Sequence, residues 1–253
     1  KAVFGEPDVE RLWTAVGFAT RLDEPDPVAA WQKHMARLDE RARVLNERSF
    51  DAIRFRGPGT ELTVGLLPAS RWRSASFTTA WGLGHVPNMP TEEVFTTPDL
   101  RRTEGTVRST RPLGLLGTTV RDLELRFEHG RVVEVRASAG ADVVRGQLAT
   151  DEWAPYLGEV ALVDGSSRVG QTGITFRDTL FDENATCHIA YGDAVMFATE
   201  GLAGLSAEER RAQGVNGSAV HTDFMIGGPE VDVDALGADG QATPLLRGDV
   251  WQL

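Results

Sequence analysis

The sequence is short of cysteine, of histidine and of positive charge, and each shortage narrows what the chain can be. A single cysteine, Cys187, excludes an internal disulfide and suits a reducing compartment. A net charge of −11 over 253 residues argues against a nucleic-acid scaffold or a binder of anionic membranes, because both need basic surface. No apolar run approaches the ~20 residues needed to span a bilayer. The charged, amphipathic start KAVFGEPDVERL has none of the marks of a secretory leader. Repeats and low-complexity linkers are missing as well. A cytoplasmic globular protein is the expectation that remains. The chain begins at Lys1 and runs directly into helix-like sequence, so a piece of something longer is expected.

What is present reads as an α+β fold: a helical N-terminal part followed by a large, mostly antiparallel β-sheet, in one domain spanning residues 1–253. Asp8 to about Phe18 predicts a helix with Val9, Leu12, Trp13, Val16 and Gly17 on its apolar stripe. Asp26-Pro27 announces a second, longer helix to about Glu47, since an N-cap acid and a proline at the first helical position mark a helix start. Its core face is Trp31, Met35, Leu38, Ala42 and Leu45. From residue 51 the pattern turns to strands. FDAIRFRG and TELTVGLL flank Gly57-Pro58-Gly59 as a hairpin, and 122–138 forms a second one turning near His129-Gly130. Short helices are expected at about 141–150 and 206–213, the latter opened by a Ser206/Glu209 capping box.

The five histidines are few enough for position to be informative. His34 is expected on the solvated side of the long helix and His129 in a solvated turn, while His85 sits in a Gly/Pro-rich stretch that could be loop or site. His188 and His221 differ, because each lies in an apolar, strand-like run with acids nearby. Around them are four segments: PTEEVFTTP, LGEVALV, LFDENATCHIAYG and AVHTDFMIG. Glu159 enters a strand that is otherwise apolar, and a buried, unpaired carboxylate costs several kcal/mol, so it needs a cation or a proton. None of the four segments contains arginine or lysine. Glu92, Glu93, Glu159, Asp182, Glu183 and Asp223 therefore either scatter over the surface beside a buried His–Asp pair or surround metal ions. Carboxylate oxygen and neutral imidazole nitrogen are suitable ligands for zinc, cobalt, manganese or iron, and Glu159 or Glu93 could bridge two ions.

NMPTEEVFTTP, YLGEVALV, TLFDENATCHIAYG and HTDFMIG, in this order, resemble the thermophilic metallo-aminopeptidase family, that of aminopeptidase T and aminopeptidase S. The resemblance covers most of the chain. It implies a cytoplasmic exopeptidase, homodimeric, in which a metal-activated water at a two-metal site (zinc, cobalt or manganese) releases N-terminal amino acids from peptides with a free amino terminus. It also implies no nucleic-acid or membrane partner. By resemblance the metal ligands are one glutamate of the Glu92-Glu93 pair, with Glu93 favoured because it lies 66 positions before Glu159, then Glu159, His188, His221 and Asp223. Glu183 takes the acid/base role, with Glu92 as the spare proton carrier. Two departures stand out. Where the family carries a tyrosine seven residues after the motif histidine this chain has Val195, and Tyr191 alternates onto the strand face opposite His188. The family's preceding N-terminal α/β domain is also absent, so the chain is expected to be the C-terminal catalytic domain alone.

Two other readings compete. His188, His221 and Asp223 by themselves form the two-histidine, one-carboxylate set of mononuclear non-haem Fe(II) oxygenases, and a relative of this fold opens hydroxylated pyridine rings. A non-catalytic relative that binds peptides would use the same cleft without metal.

Overall fold

A computed structural model describes residues 2–253. The fold is α+β, with six α-helices and two principal antiparallel sheets among the described residues. The larger sheet has eight strands in the spatial order 131–136, 124–128, 98–108, 60–66, 52–57, 232–236, 242–247 and 250–251. Both expected hairpins lie in it, as Ala52–Gly57 with Thr60–Leu66 and as Glu124–Glu128 with Arg131–Arg136. The smaller sheet has four strands in the order His221–Met225, His188–Gly192, Leu157–Leu162 and Val94–Thr96. Its four strands come from the four acid-bearing segments.

The long helix, Pro27–Arg48, starts where its signals place it: the Asp26 carboxylate accepts the Ala29 N–H at 3.0 Å. Trp31, Met35, Leu38, Ala42 and Leu45 are all buried. They join one core with Ile53, Phe55, Leu62 and Val64 of the large sheet and Val160, Leu162, Ile189, Tyr191 and Phe224 of the small one. The small sheet thus has a back face sunk in the core and a front face free for other use. The capped helix Ala207–Ala212 forms with the reciprocal Ser206/Glu209 hydrogen bonds, and Ala141–Leu148 is helical as expected.

Two expectations are corrected. The first helix, Val9–Ala19, buries its small residues Ala15 and Ala19 against Val169, Phe176 and Ala185, with Leu12 and Val16 of the expected stripe half-buried beside them, while Val9 and Trp13 stay 62% and 66% exposed. Small side chains let the helix axis approach the 168–185 segment closely, which rotates the bulky pair outward. His34 is not solvated but buried, 5% exposed, between the long helix and the segment leading to Val94–Thr96.

Candidate metal centre

Strand register builds the site. Residues opposite one another in an antiparallel ladder point to the same side of the sheet, as do residues two apart along a strand. Ala161 faces both Phe95 and His188, Glu159 faces Ala190, Ala190 faces Asp223, and Gly192 faces His221. One face therefore collects Glu159, His188, His221 and Asp223, and Glu93, two residues before Phe95, points to the same side. Ala161, Ala190 and Gly192 between them are small, which leaves room above the sheet. Val94, Val160, Ile189, Tyr191 and Phe224 alternate to the back, so Tyr191 lies in the core, away from His188.

One irregularity makes this possible. Leu157 pairs with Tyr191 while Glu159 pairs with Ala190, so Gly158 is the extra residue of a β-bulge. Strict alternation would have placed Leu157 beside Glu159 on the front; the bulge sends Leu157 into the core and leaves Glu159 forward. A Cβ at Gly158 would sit 1.9 Å from the Asp193 carbonyl oxygen, so no side chain fits. That same carbonyl accepts a hydrogen bond from His221 Nδ1 at 2.8 Å. His188 Nδ1 is likewise turned to a carbonyl, that of Thr186, at 3.3 Å. A carbonyl can only accept, so both imidazoles carry a proton on Nδ1 and present Nε2 to the front, the orientation that outer partners impose on metal-binding histidines.

The donor atoms form two sets. One atom each from Glu93, Glu159 and His188 lies within 4.8 Å of the others, and so does one each from Glu159, His221 and Asp223. Glu159 belongs to both. His188 Nε2 is 2.9 Å from Glu93 Oε2, and His221 Nε2 is 3.2 Å from Glu159 Oε2 and 3.3 Å from Asp223 Oδ1. Glu93 Oε2 is buried without an aligned hydrogen-bond donor despite that proximity. Ligands that converge on a common point leave their mutual hydrogen bonds misaligned, so the residues fit a divalent ion in each set.

Within the site the charges of the side chains compensate one another. Burial alone would lower both imidazoles, yet Glu93, Asp223 and Glu183 raise His188 to about 10, and Asp223 and Glu159 raise His221 to about 12. Burial raises Glu159 to about 7 against the pull of His221, with Asp223 and Glu93 adding to the rise. Burial also lifts Glu183, followed by the Asp223 and Glu93 charges, to about 9. Asp223 is held low by His221 and His188 although burial opposes it.

A cleft of about 520 Å³ opens over these residues. Glu183 lines it but belongs to neither triad. The rest of its lining is largely apolar, with Phe77, Val195 and Phe197 beside Phe95 of the sheet face itself, and Phe197 meets Phe77 and Phe95 edge-on at 4.9 and 5.8 Å. No tyrosine lines the cleft among the described residues; Val195 stands in the wall. Asp182 is elsewhere, accepting the Phe176 and Arg177 backbone N–H groups at 2.6 and 2.8 Å. His85 and His129 are exposed and outside the cleft.

Glu92, the expected spare proton carrier, is displaced from that role by geometry. It points to the back of the sheet and is paired with Arg21, Nη1 to Oε1 at 2.8 Å and Nη2 to Oε2 at 3.0 Å. The four acid-bearing segments do lack basic residues, but a cation reaches Glu92 from 71 residues away. Sequence reading had no local signal for Arg21, which follows the first helix in an ordinary charged turn.

The thermophilic metalloprotease (M29) family model matches residues 1–251. The chain belongs to this family. Among M29 relatives, it is 50% identical over 255 residues to aminopeptidase T of Thermus thermophilus, covering 99% of this chain and 62% of the relative. Aminopeptidase PepS of Streptococcus thermophilus is 44% identical, over 97% of this chain and 60% of its own length. The solved structure of wild-type AmpT from Thermus thermophilus superposes with a TM-score of 0.92 at 47% identity, over 100% of this chain and 62% of that one. The chain thus spans about three-fifths of the length of the relatives it matches. The 2,5-dihydroxypyridine dioxygenase of Pseudomonas putida KT2440 shares the fold alone, with a TM-score of 0.54 at 15% identity over 87% of this chain and 62% of that one.

Proposed function

We propose that this chain is the catalytic portion of a longer metal-dependent aminopeptidase that removes N-terminal residues from peptides at a two-metal site. The observation that carries the proposal is the pair of ligand triads sharing Glu159. A mononuclear oxygenase centre needs only His188, His221 and Asp223 and gives no role to two further buried carboxylates, so the five-residue set favours hydrolysis. Aminopeptidase relatives at 40–50% identity support the same reading.

Glu93, Glu159 and His188 would hold one divalent ion, and Glu159, His221 and Asp223 the other. Bound ions at such a site supply Lewis acidity and bring the pKa of a bound water toward neutrality. The chain's own residues do the rest. Negative charge on the sheet face attracts a substrate's free α-ammonium group. Phe77, Phe95 and Phe197 accept its first side chain and exclude water from that side of the cleft. The Glu183 carboxyl, beside but not within the ligand sets, is placed to take the proton released by the attacking water and pass it to the leaving nitrogen. A homodimer acting in the cytoplasm, with zinc, cobalt or manganese as the metal, belongs to the same proposal and rests on the family resemblance. Elemental analysis per mole of chain, alongside release of p-nitroaniline from amino-acid p-nitroanilides, tests it. Two ions with chelator-sensitive release are expected; a single iron without release would overturn it in favour of the oxygenase, and no metal in favour of a binding module.

A further inference from the structure

Glu92 and Glu93 are adjacent, and the alternation that brings Glu93 to the front sends Glu92 to the back. Glu92 and the peptide that leads into it are held at three buried points, one residue away from Glu93. His34 Nε2 donates to the Thr91 carbonyl at 2.8 Å, Asn184 Oδ1 accepts the Glu92 N–H at 2.7 Å, and Arg21 grips both Glu92 carboxylate oxygens. The Arg168 N–H adds a fourth, longer bond to Glu92 Oε1 at 3.3 Å. Arg21, His34 and Glu92 are 5%, 5% and 2% exposed, so water cannot replace these partners.

Arg21 is itself prepared for the task. It adopts a left-handed conformation, φ 60°, just after the first helix, which turns its side chain inward. Its guanidinium lies 4.7 Å from the Trp31 ring centre, and Trp31 Nε1 donates to the Thr20 carbonyl at 2.7 Å, fixing the turn. His34, protonated on Nε2 toward Thr91, accepts Arg21 Nη2 on Nδ1 at 3.0 Å and Arg37 Nη2 at 3.1 Å. The fork is thereby set on one side by an aromatic face and on the other by a neutral imidazole. Asn184 closes the frame from the other direction, since it follows Glu183 and precedes His188 in one continuous segment.

We propose that Arg21 is a positioning residue of the metal centre: its clamp on Glu92 holds Glu93 at the place from which it completes the triad with Glu159 and His188. This rests on the two-metal reading above. Glu93 belongs to one triad only, so the clamp acts on one ion and not on the other. A clamp of merely structural value would act on folding and treat both ions alike.

The test is titration of the metal-free chain with Co²⁺, followed by calorimetry and by visible absorption, in three forms: wild type, Arg21→Lys, and the double variant Arg21→Met/Glu92→Met. The double variant removes both charges and leaves no orphaned ion, which preserves folding where a single deletion endangers it. Wild type should bind two ions. The double variant should bind one ion as wild type does and the other roughly 10–100-fold more weakly, with an altered cobalt spectrum for that ion. Arg21→Lys keeps the charge but loses the planar fork and should fall between the two. Unchanged affinity for both ions, or equal weakening of both in step with lost folded protein, overturns the positioning role alone. If the double variant does not fold, the same selective weakening or its absence in Arg21→Lys decides. Fewer than two ions in wild type overturns the two-metal reading and the positioning role with it.

Discussion

The two faces of the small sheet carry the same kinds of residue and settle their charges by opposite means. At the back, Glu92 has Arg21 across two hydrogen bonds, and His34 beside them is neutral, its pKa pushed down to about 3 by burial and by the Arg21, Arg37 and Arg41 charges. At the front, Glu93, Glu159 and Asp223 have no arginine, and His188 and His221 are pushed up instead. An arginine cannot give up its proton, so an arginine-clamped carboxylate is committed to one partner. A histidine can release its proton and let a metal take its place. The back face is therefore a fixed support, and the front face an exchangeable site.

Three predictions press on this contrast. Glu159→Gln removes the carboxylate common to both triads and should reduce hydrolysis of amino-acid p-nitroanilides at least about a thousandfold. Turnover close to wild type would show that the front face does not work as a shared site. Gly158→Ala tests the bulge behind it. The new Cβ meets the Asp193 carbonyl, which also holds His221, so a stability loss of about 1–3 kcal/mol in denaturant unfolding is expected, with weaker metal binding. An unperturbed variant would mean that the bulge does not set Glu159.

The third prediction concerns the back face and pH. His34 is neutral when folded down to about pH 3 but takes up a proton near pH 6.5 when unfolded. Below pH 6.5 the unfolded state binds the extra proton, so stability is lost as pH falls through that window. Between pH 6.5 and 5 the His34 contribution is about 2 kcal/mol. His34→Gln, which can still donate to Thr91 and accept from Arg21, should flatten that part of the stability–pH curve. The same slope in wild type and variant would show that His34 is not the group responsible.

Local pattern made much of the fold legible. The Asp26-Pro27 start, the long helix's five core positions, both hairpins and the Ser206 cap all follow from side-chain spacing and turn chemistry over a few residues. The ligand candidates were legible for a related reason: His221 and Asp223 two apart on a strand must share a face, and an acid inside GEVALV demands a partner. Glu92, His34 and the first helix were not legible in the same way. Their environments depend on Arg21, Thr91 and the 168–185 segment, which no local periodicity connects to them.

The sequence by itself determined which residue types could bind metal, the order of the motifs that carry them, and the strands on which they lie, because those properties are written at spacings of two to four residues. Only the tertiary structure decided that Glu93 faces the cleft while Glu92 faces Arg21, that Gly158 forms a bulge which turns Glu159 forward, and that Val195 stands in an apolar wall. Each of these depends on strand register and on partners far away along the chain, and the energy that selects among them arises only when the sheet and the helices pack together.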